Sequence, residues 1–93
     1  MLPSPAEVHQ SAIVIDTHAD TPQRFLDESW DFTSPLHGGM INLDSARQGN
    51  LAAEFFAAWV EPREWRGRYA FRTLQLIDGV LEQIRKHPDS MRL

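Results

Sequence analysis

Two rhythms of apolar residues run through this chain, one of strands and one of helices. Ala12-Ile13-Val14-Ile15 is apolar at four successive positions and β-branched at three. That is the pattern of a parallel strand buried on both faces, and it predicts strand over Ala12–Asp16, with the polar residues through Asp20 at its carboxyl end. The run from Leu51 to Val60 repeats the pattern with one interruption, Glu54, and Pro62 closes it. From Arg68 to Lys86 the spacing changes. Apolar residues at 70, 74, 77, 81 and 84, reinforced by Phe71 and Val80, form a helical stripe expected to pack on the sheet as core. Arg85, Lys86 and His87 suit the negative end of that helix, and Pro88 stops it.

Shorter signals fill the gaps. Pro5–Gln10 reads as a helix with Ser4 as N-cap and Pro5 at the first helical position. Thr21–Leu26 reads as one helical turn. Asp27–Met40, with Ser34-Pro35 and Gly38-Gly39, reads as a loop long enough to be a lid or binding loop. Asn42 or Asp44 caps a short helix through Arg47, which Gly49 is expected to end in a left-handed conformation. Met91-Arg92-Leu93 is a candidate opening of a third strand.

Two consecutive doubly buried strands need partners at both edges and helices on both faces, because unpaired buried backbone is costly. A chain of 93 residues supplies too few of either. The economical reading is α/β, residues 1–93 forming one segment of a (β/α)₈ barrel, in which chemistry sits at the carboxyl ends of strands.

His18 and Asp20 occupy such an end. Side chains two apart on a strand point the same way, about 7 Å apart along the backbone, and are able to converge on one ion. With no cysteine in the chain, histidine and carboxylate are the strong ligands available, which suits a catalytic rather than a structural metal centre. A hydrogen-bonded His/Asp pair without metal is the competing reading. Asp16 is either an acceptor behind such ligands or a structural hydrogen-bonding group. Glu54 is either a pocket acid with a raised pKa or, preferred on sequence, the partner of a basic residue in the barrel interior. Trp59 either lines a substrate pocket or packs on a neighbouring helix. His37 reads as a solvated turn histidine, and His9 and His87 as helix-surface residues.

The net charge of −4 and the absence of a Lys/Arg run argue against nucleic acid as a partner. No basic leader precedes an apolar stretch, and no window approaches the roughly 18 apolar residues of a membrane span, so a cytoplasmic protein is expected.

Val14-Ile15-Asp16-Thr17-His18-Ala19-Asp20-Thr21-Pro22, then Leu43-Asp44 with the turn at Gly49, then Phe55-Phe56 and the helix running to His87-Pro88, together resemble the amino-terminal portion of the membrane (renal) dipeptidase family. The resemblance implies a zinc-dependent dipeptidase on a (β/α)₈ barrel, with dipeptides as substrates. His18 and Asp20 match the first-strand ligands of a two-zinc centre. The glutamate and two histidines that complete that centre in the family have no counterpart in these residues, which correspond to about the first quarter of the barrel. Asn42 stands where aspartate is common and Glu54 where glutamine is usual. A non-catalytic remnant, or an α/β fragment that forms homo-oligomers through open sheet edges, is the alternative.

Overall fold

The computed structural model describes all of residues 1–93. Helix α1 (Pro5–Ser11) leads into strand β1 (Val14–Ala19), followed by α2 (Pro22–Asp27), α3 (Leu43–Gln48), β2 (Leu51–Phe56) and α4 (Tyr69–Lys86). The two strands pair in parallel as a two-stranded sheet. The expected order of elements is therefore present, with altered limits.

Those limits have local causes. Strand β1 begins at Val14 rather than Ala12 because the carbonyls of His9, Gln10 and Ala12 are gathered by one side-chain amide, that of Asn50, at 2.8, 3.3 and 3.2 Å. Asn50, not Gly49, takes the left-handed conformation after α3 (φ 55), whereas Gly49 sits at φ −82. Asparagine tolerates that region, and here its side chain anchors α1 in return. Asn42 caps α3, accepting from the Ser45 backbone N–H at 2.8 Å while the Ser45 hydroxyl bonds back to the Asn42 N–H. Strand β2 stops at Phe56 rather than Val60 because its partner runs out: the last rung is the Ala57 N–H donating to the Ala19 carbonyl at 2.8 Å. Residues 91–93 form no strand. The Ser90 and Met91 N–H groups both turn back onto the His87 carbonyl, and Met91 packs against the core.

The segment expected to be a lid supplies the centre of the core instead. Trp30 and Phe32, both from the irregular stretch, are buried with Leu43, and Phe25, Ile41, Phe56 and Met91 pack around them. Phe25 stacks on Trp30 at 6.0 Å and meets Phe32 and Phe56 edge-on at 5.9 and 6.2 Å, while Phe32 meets Phe56 at 5.6 Å. Edge-on and offset pairs of this kind add about 0.5–1.5 kcal/mol each beyond the area they bury. Polar contacts hold the loop without regular structure. The Phe32 N–H donates to Gln83 Oε1 at 3.0 Å, the Leu43 N–H to the Phe32 carbonyl at 2.9 Å, and Trp30 Nε1 to the Pro35 carbonyl at 2.9 Å. His87, expected on the helix surface, is drawn inward by Asp31, with Nε2 2.9 Å from Oδ1.

Helix α4 packs by a different face from the one its hydrophobicity indicates. The buried residues are Arg72, Leu76, Gly79 and Gln83, at i, i+4, i+7 and i+11. Leu76 is fully buried, the side chains of Phe25 and Leu26 close against Gly79, and Arg72 pairs with Asp27 at 2.7 Å. The expected stripe lies nearly opposite. Phe71, Leu74 and Ile77 are exposed, Leu74 at 66%, and Leu81 and Ile84 are only partly covered. The reason is that α4 packs on α2, and two polar residues find partners that outweigh their hydrophilicity, Arg72 on Asp27 of α2 and Gln83 on the Phe32 N–H of the loop that follows.

The sheet is likewise bare on one face: Ile15, opposite Ala53 in register, and Phe55 are exposed, Phe55 at 62%. The molecule is elongated, with a radius of gyration of 15.5 Å and extents of 60 × 25 × 24 Å. A compact chain of this length has a radius of about 12 Å.

Phe32→Ala is expected to cost about 3–5 kcal/mol, a large part of the stability of so small a core, and Gln83→Leu about 1–3 kcal/mol through the orphaned Phe32 N–H. Urea denaturation followed by near-ultraviolet circular dichroism measures both. Asp31 gives a pH test. Burial raises its pKa, but bonds from the Thr33 hydroxyl and backbone N–H and from His87 outweigh that and hold it at about 2, against an ordinary 3.8. A carboxylate depressed in the folded state stabilises fully above its unfolded value and loses that contribution as pH falls toward the folded one. The melting-temperature gap between wild type and Asp31→Asn should therefore be present at pH 5 and close between about pH 4 and 2.

Candidate metal centre

The carboxyl end of β1 is built by an irregularity in the sheet. Between Asp16 and Ala19 strand β1 advances three residues while β2 advances two, from Glu54 to Phe56. The extra residue bulges β1 at Thr17-His18, and such bulges re-aim side chains at the rims of sheets. Beyond Ala19 the chain turns directly into α2: the Gln23 N–H donates to the Asp20 carbonyl and the Arg24 N–H to that of Thr21, with Pro22 buried at the first helical position. Asp20 is thereby held between the last sheet rung and the first turn of a helix.

His18 Nε2 lies 3.3 Å from Asp20 Oδ2, with the two side chains 66% and 54% exposed. A pair so open to water contributes at most about 1 kcal/mol to stability, so the fold does not depend on it. The separation matches another use. Two ligand atoms about 2.0–2.1 Å from a tetrahedral zinc ion stand roughly 3.3 Å apart. These two donors fit one edge of such a centre, with Nε2 unprotonated and the proton on Nδ1.

Asp16, His18, Asp20 and Glu54 line one open pocket of about 600 Å³, whose wall also carries Arg24 from α2 and Met40 and Ile41 from the loop. No three of the chain's histidines and carboxylates converge on a single point. Two donors meet, and Asp16 and Glu54 stand behind them.

Glu54 has no basic partner, contrary to the preferred sequence reading. Both carboxylate oxygens are buried without a hydrogen bond. The pocket's arginine is already engaged: Arg24 binds Glu28 through Nε and the Leu36 carbonyl through Nη1 at 2.7 Å, and lies 4.1 Å over the Trp30 ring. Burial pushes the Glu54 carboxyl up from 4.5 to about 7, reinforced by the facing Asp16 carboxylate and opposed by His18. Asp16, its register partner, supports the shift in two ways: its carboxylate would accept a hydrogen bond from protonated Glu54, and it repels the ionised form.

The remaining candidates lie elsewhere. Trp59 is three residues past β2, half exposed, and does not line this pocket. His37 is an exposed turn residue at φ 44, as expected. His9 is exposed on α1, with Nε2 2.8 Å from the Gly49 carbonyl. Arg24 is the pocket residue that sequence reasoning missed, and its spacing from His18 offers no sign, because the turn at Thr21-Pro22 brings it back.

No helix is long and apolar enough to cross a membrane. Neither a curated protein nor a solved structure matches the chain. The family model for membrane dipeptidase (peptidase family M19) matches residues 4–93, nearly the whole length and including the β1 end, the α3 turn, β2 and α4. On that match the chain belongs to the membrane dipeptidase family, a family of peptide hydrolases.

Proposed function

We propose that this chain supplies the first-strand ligands, His18 and Asp20, of a zinc centre for dipeptide hydrolysis, on the opening βα units of a (β/α)₈ barrel. The observation that carries the reading is the 3.3 Å approach of His18 Nε2 to Asp20 Oδ2 at the carboxyl end of a parallel strand, in a chain of this family. Bound there, zinc supplies Lewis-acid polarisation of an amide carbonyl and a water acidified toward neutral pH.

The chain's own residues prepare the place. The bulge in β1 and the turn into α2 present both donors to solvent, where an incoming ion reaches them. Asp16 and Glu54 behind them add acidic groups to the same pocket and favour a cation over an anion. Arg24 is locked by Glu28, Leu36 and Trp30, so it holds the loop rather than competing for Asp20. Two protein ligands are fewer than the three typical of catalytic zinc. The chain by itself therefore holds the metal weakly and is incomplete for catalysis. Trp59, beyond the end of β2, belongs in this reading to the outer rim on the substrate side.

Zinc titration against a chromophoric chelator tests the ligands. His18→Ala should weaken uptake at least about tenfold, since one of two ligands is lost, with an unchanged far-ultraviolet spectrum. Equal zinc affinity in the two proteins would overturn the assignment. Release of free amino acids from a dipeptide panel with added zinc is expected to stay at background for the chain alone. Turnover that His18→Ala abolishes would show instead that two ligands suffice.

A further inference from the structure

Nine lysines and arginines are spread through a chain of net charge −4, and most of them are committed to a partner. Arg24 pairs with Glu28, Arg72 with Asp27, Arg85 with Glu82 and Lys86 with Asp31, while Arg47 bonds the Ser90 hydroxyl. Arg63, Arg66 and Arg68 have neither an ion pair nor a side-chain hydrogen bond within these residues, and all three are exposed. They lie within six residues of one another in the loop from β2 to α4. The acids of that loop do not neutralise them: Glu61 is turned to the Arg63 backbone N–H at 3.2 Å, and Glu64 pairs with none of the three.

Topology puts this loop at the working end of the sheet. Strands β1 and β2 are parallel, so a loop leaving the carboxyl end of β2 emerges on the side where His18 and Asp20 end β1. In a (β/α)₈ barrel the loops that follow strands frame the site, whichever further strands complete it. A chain of contacts also ties the loop to the donors. Helix α2 begins two residues after Asp20 and carries Asp27, which accepts from Arg72 Nη2 at 2.7 Å. The Arg72 guanidinium lies 4.7 Å from the centre of the Trp65 ring, and that of Arg68 lies 4.7 Å from the same ring and 6.0 Å from Phe71. A guanidinium resting on aromatic faces keeps its N–H edge open to a carboxylate, in an orientation fixed beforehand.

The pocket supplies the complement. Asp16, Asp20 and Glu54 line it, and its arginine, Arg24, is already taken. An anionic part of a substrate is repelled there and drawn to the loop. One guanidinium satisfies one carboxylate bidentately, so the single terminal carboxylate of a dipeptide does not use three arginines. A second acidic group does.

We infer that Arg68, assisted by Arg63 and Arg66, selects substrates with an acidic side chain, aspartyl or glutamyl dipeptides. The inference rests on the dipeptide reading above and supplies its substrate class. Titration of the arginine Nε–H resonances with alanylglutamate and with alanylglutamine tests it, since the two peptides differ in charge only at the side chain. Alanylglutamate should bind at least about tenfold more tightly, and Arg68→Gln should remove that margin with an unchanged far-ultraviolet spectrum. Arg92→Gln, which removes an exposed arginine outside the loop, should keep it. Equal affinity for the two peptides overturns the inference. So does an equal loss in the Arg68 and Arg92 variants, which would mean general attraction of charge. Zinc uptake is expected to be the same in wild type and Arg68→Gln. The two readings therefore fail separately: zinc uptake that depends on His18 without a peptide preference sinks the loop assignment alone, and a preference that persists without His18-dependent zinc uptake upholds the loop and sinks the metal assignment.

Discussion

Phe32 is the point on which the rest of this structure depends. Its ring meets Phe25 from α2, Phe56 from β2 and Trp30 from the loop, while its backbone N–H is taken by Gln83 of α4 and its carbonyl receives the Leu43 N–H of α3. Five parts of the chain thus close on one residue outside any helix or strand. A buried backbone without such partners would be expensive, and the irregular stretch is tolerated inside because each polar group near its centre is answered. With only nine residues buried in the whole chain, little else holds α4 to the sheet end.

The geometry of the His18–Asp20 pair follows from that arrangement at one remove. Phe25 pins α2 against the aromatic cluster, and α2 begins two residues after Asp20. The position of Asp20 relative to His18 is set by where α2 starts, and that start is fixed by buried Pro22 and by the last sheet rung at Ala19. The donors themselves remain open to water. For the proposed centre, packed support beneath exposed donors is the combination that binding an ion needs, because donor atoms must be in place without being desolvated beforehand.

Helix α4 shows why hydrophobic periodicity misplaced a face. Positions 70, 74, 77, 81 and 84 carry an apolar stripe, but the face that packs holds an arginine, a leucine, a glycine and a glutamine. Arg72 and Gln83 lie buried because each has a specific partner, Asp27 and the Phe32 N–H, which lie 45 and 51 residues away in the chain. No window of sequence contains such pairs. The same limit applies to Glu54: its isolation in an apolar strand was visible, whereas the absence of a cation beside it was not, since Arg24 is committed through contacts made by a loop.

Sequence alone determined what depends on neighbours in the chain. The parallel strands, the cap at Ser4, the choice of Asn42 or Asp44 as the cap of α3 and the stop at Pro88 all rest on backbone preference and side-chain alternation within a few residues. Tertiary structure alone decided which residues are inside: a loop phenylalanine and tryptophan rather than a helix stripe, an inward His87, a strand cut short where its partner ended, and an unpaired Glu54. The physical reason is that burial is settled by partners distant in sequence, and neither hydrophobicity nor period says which partners will be there.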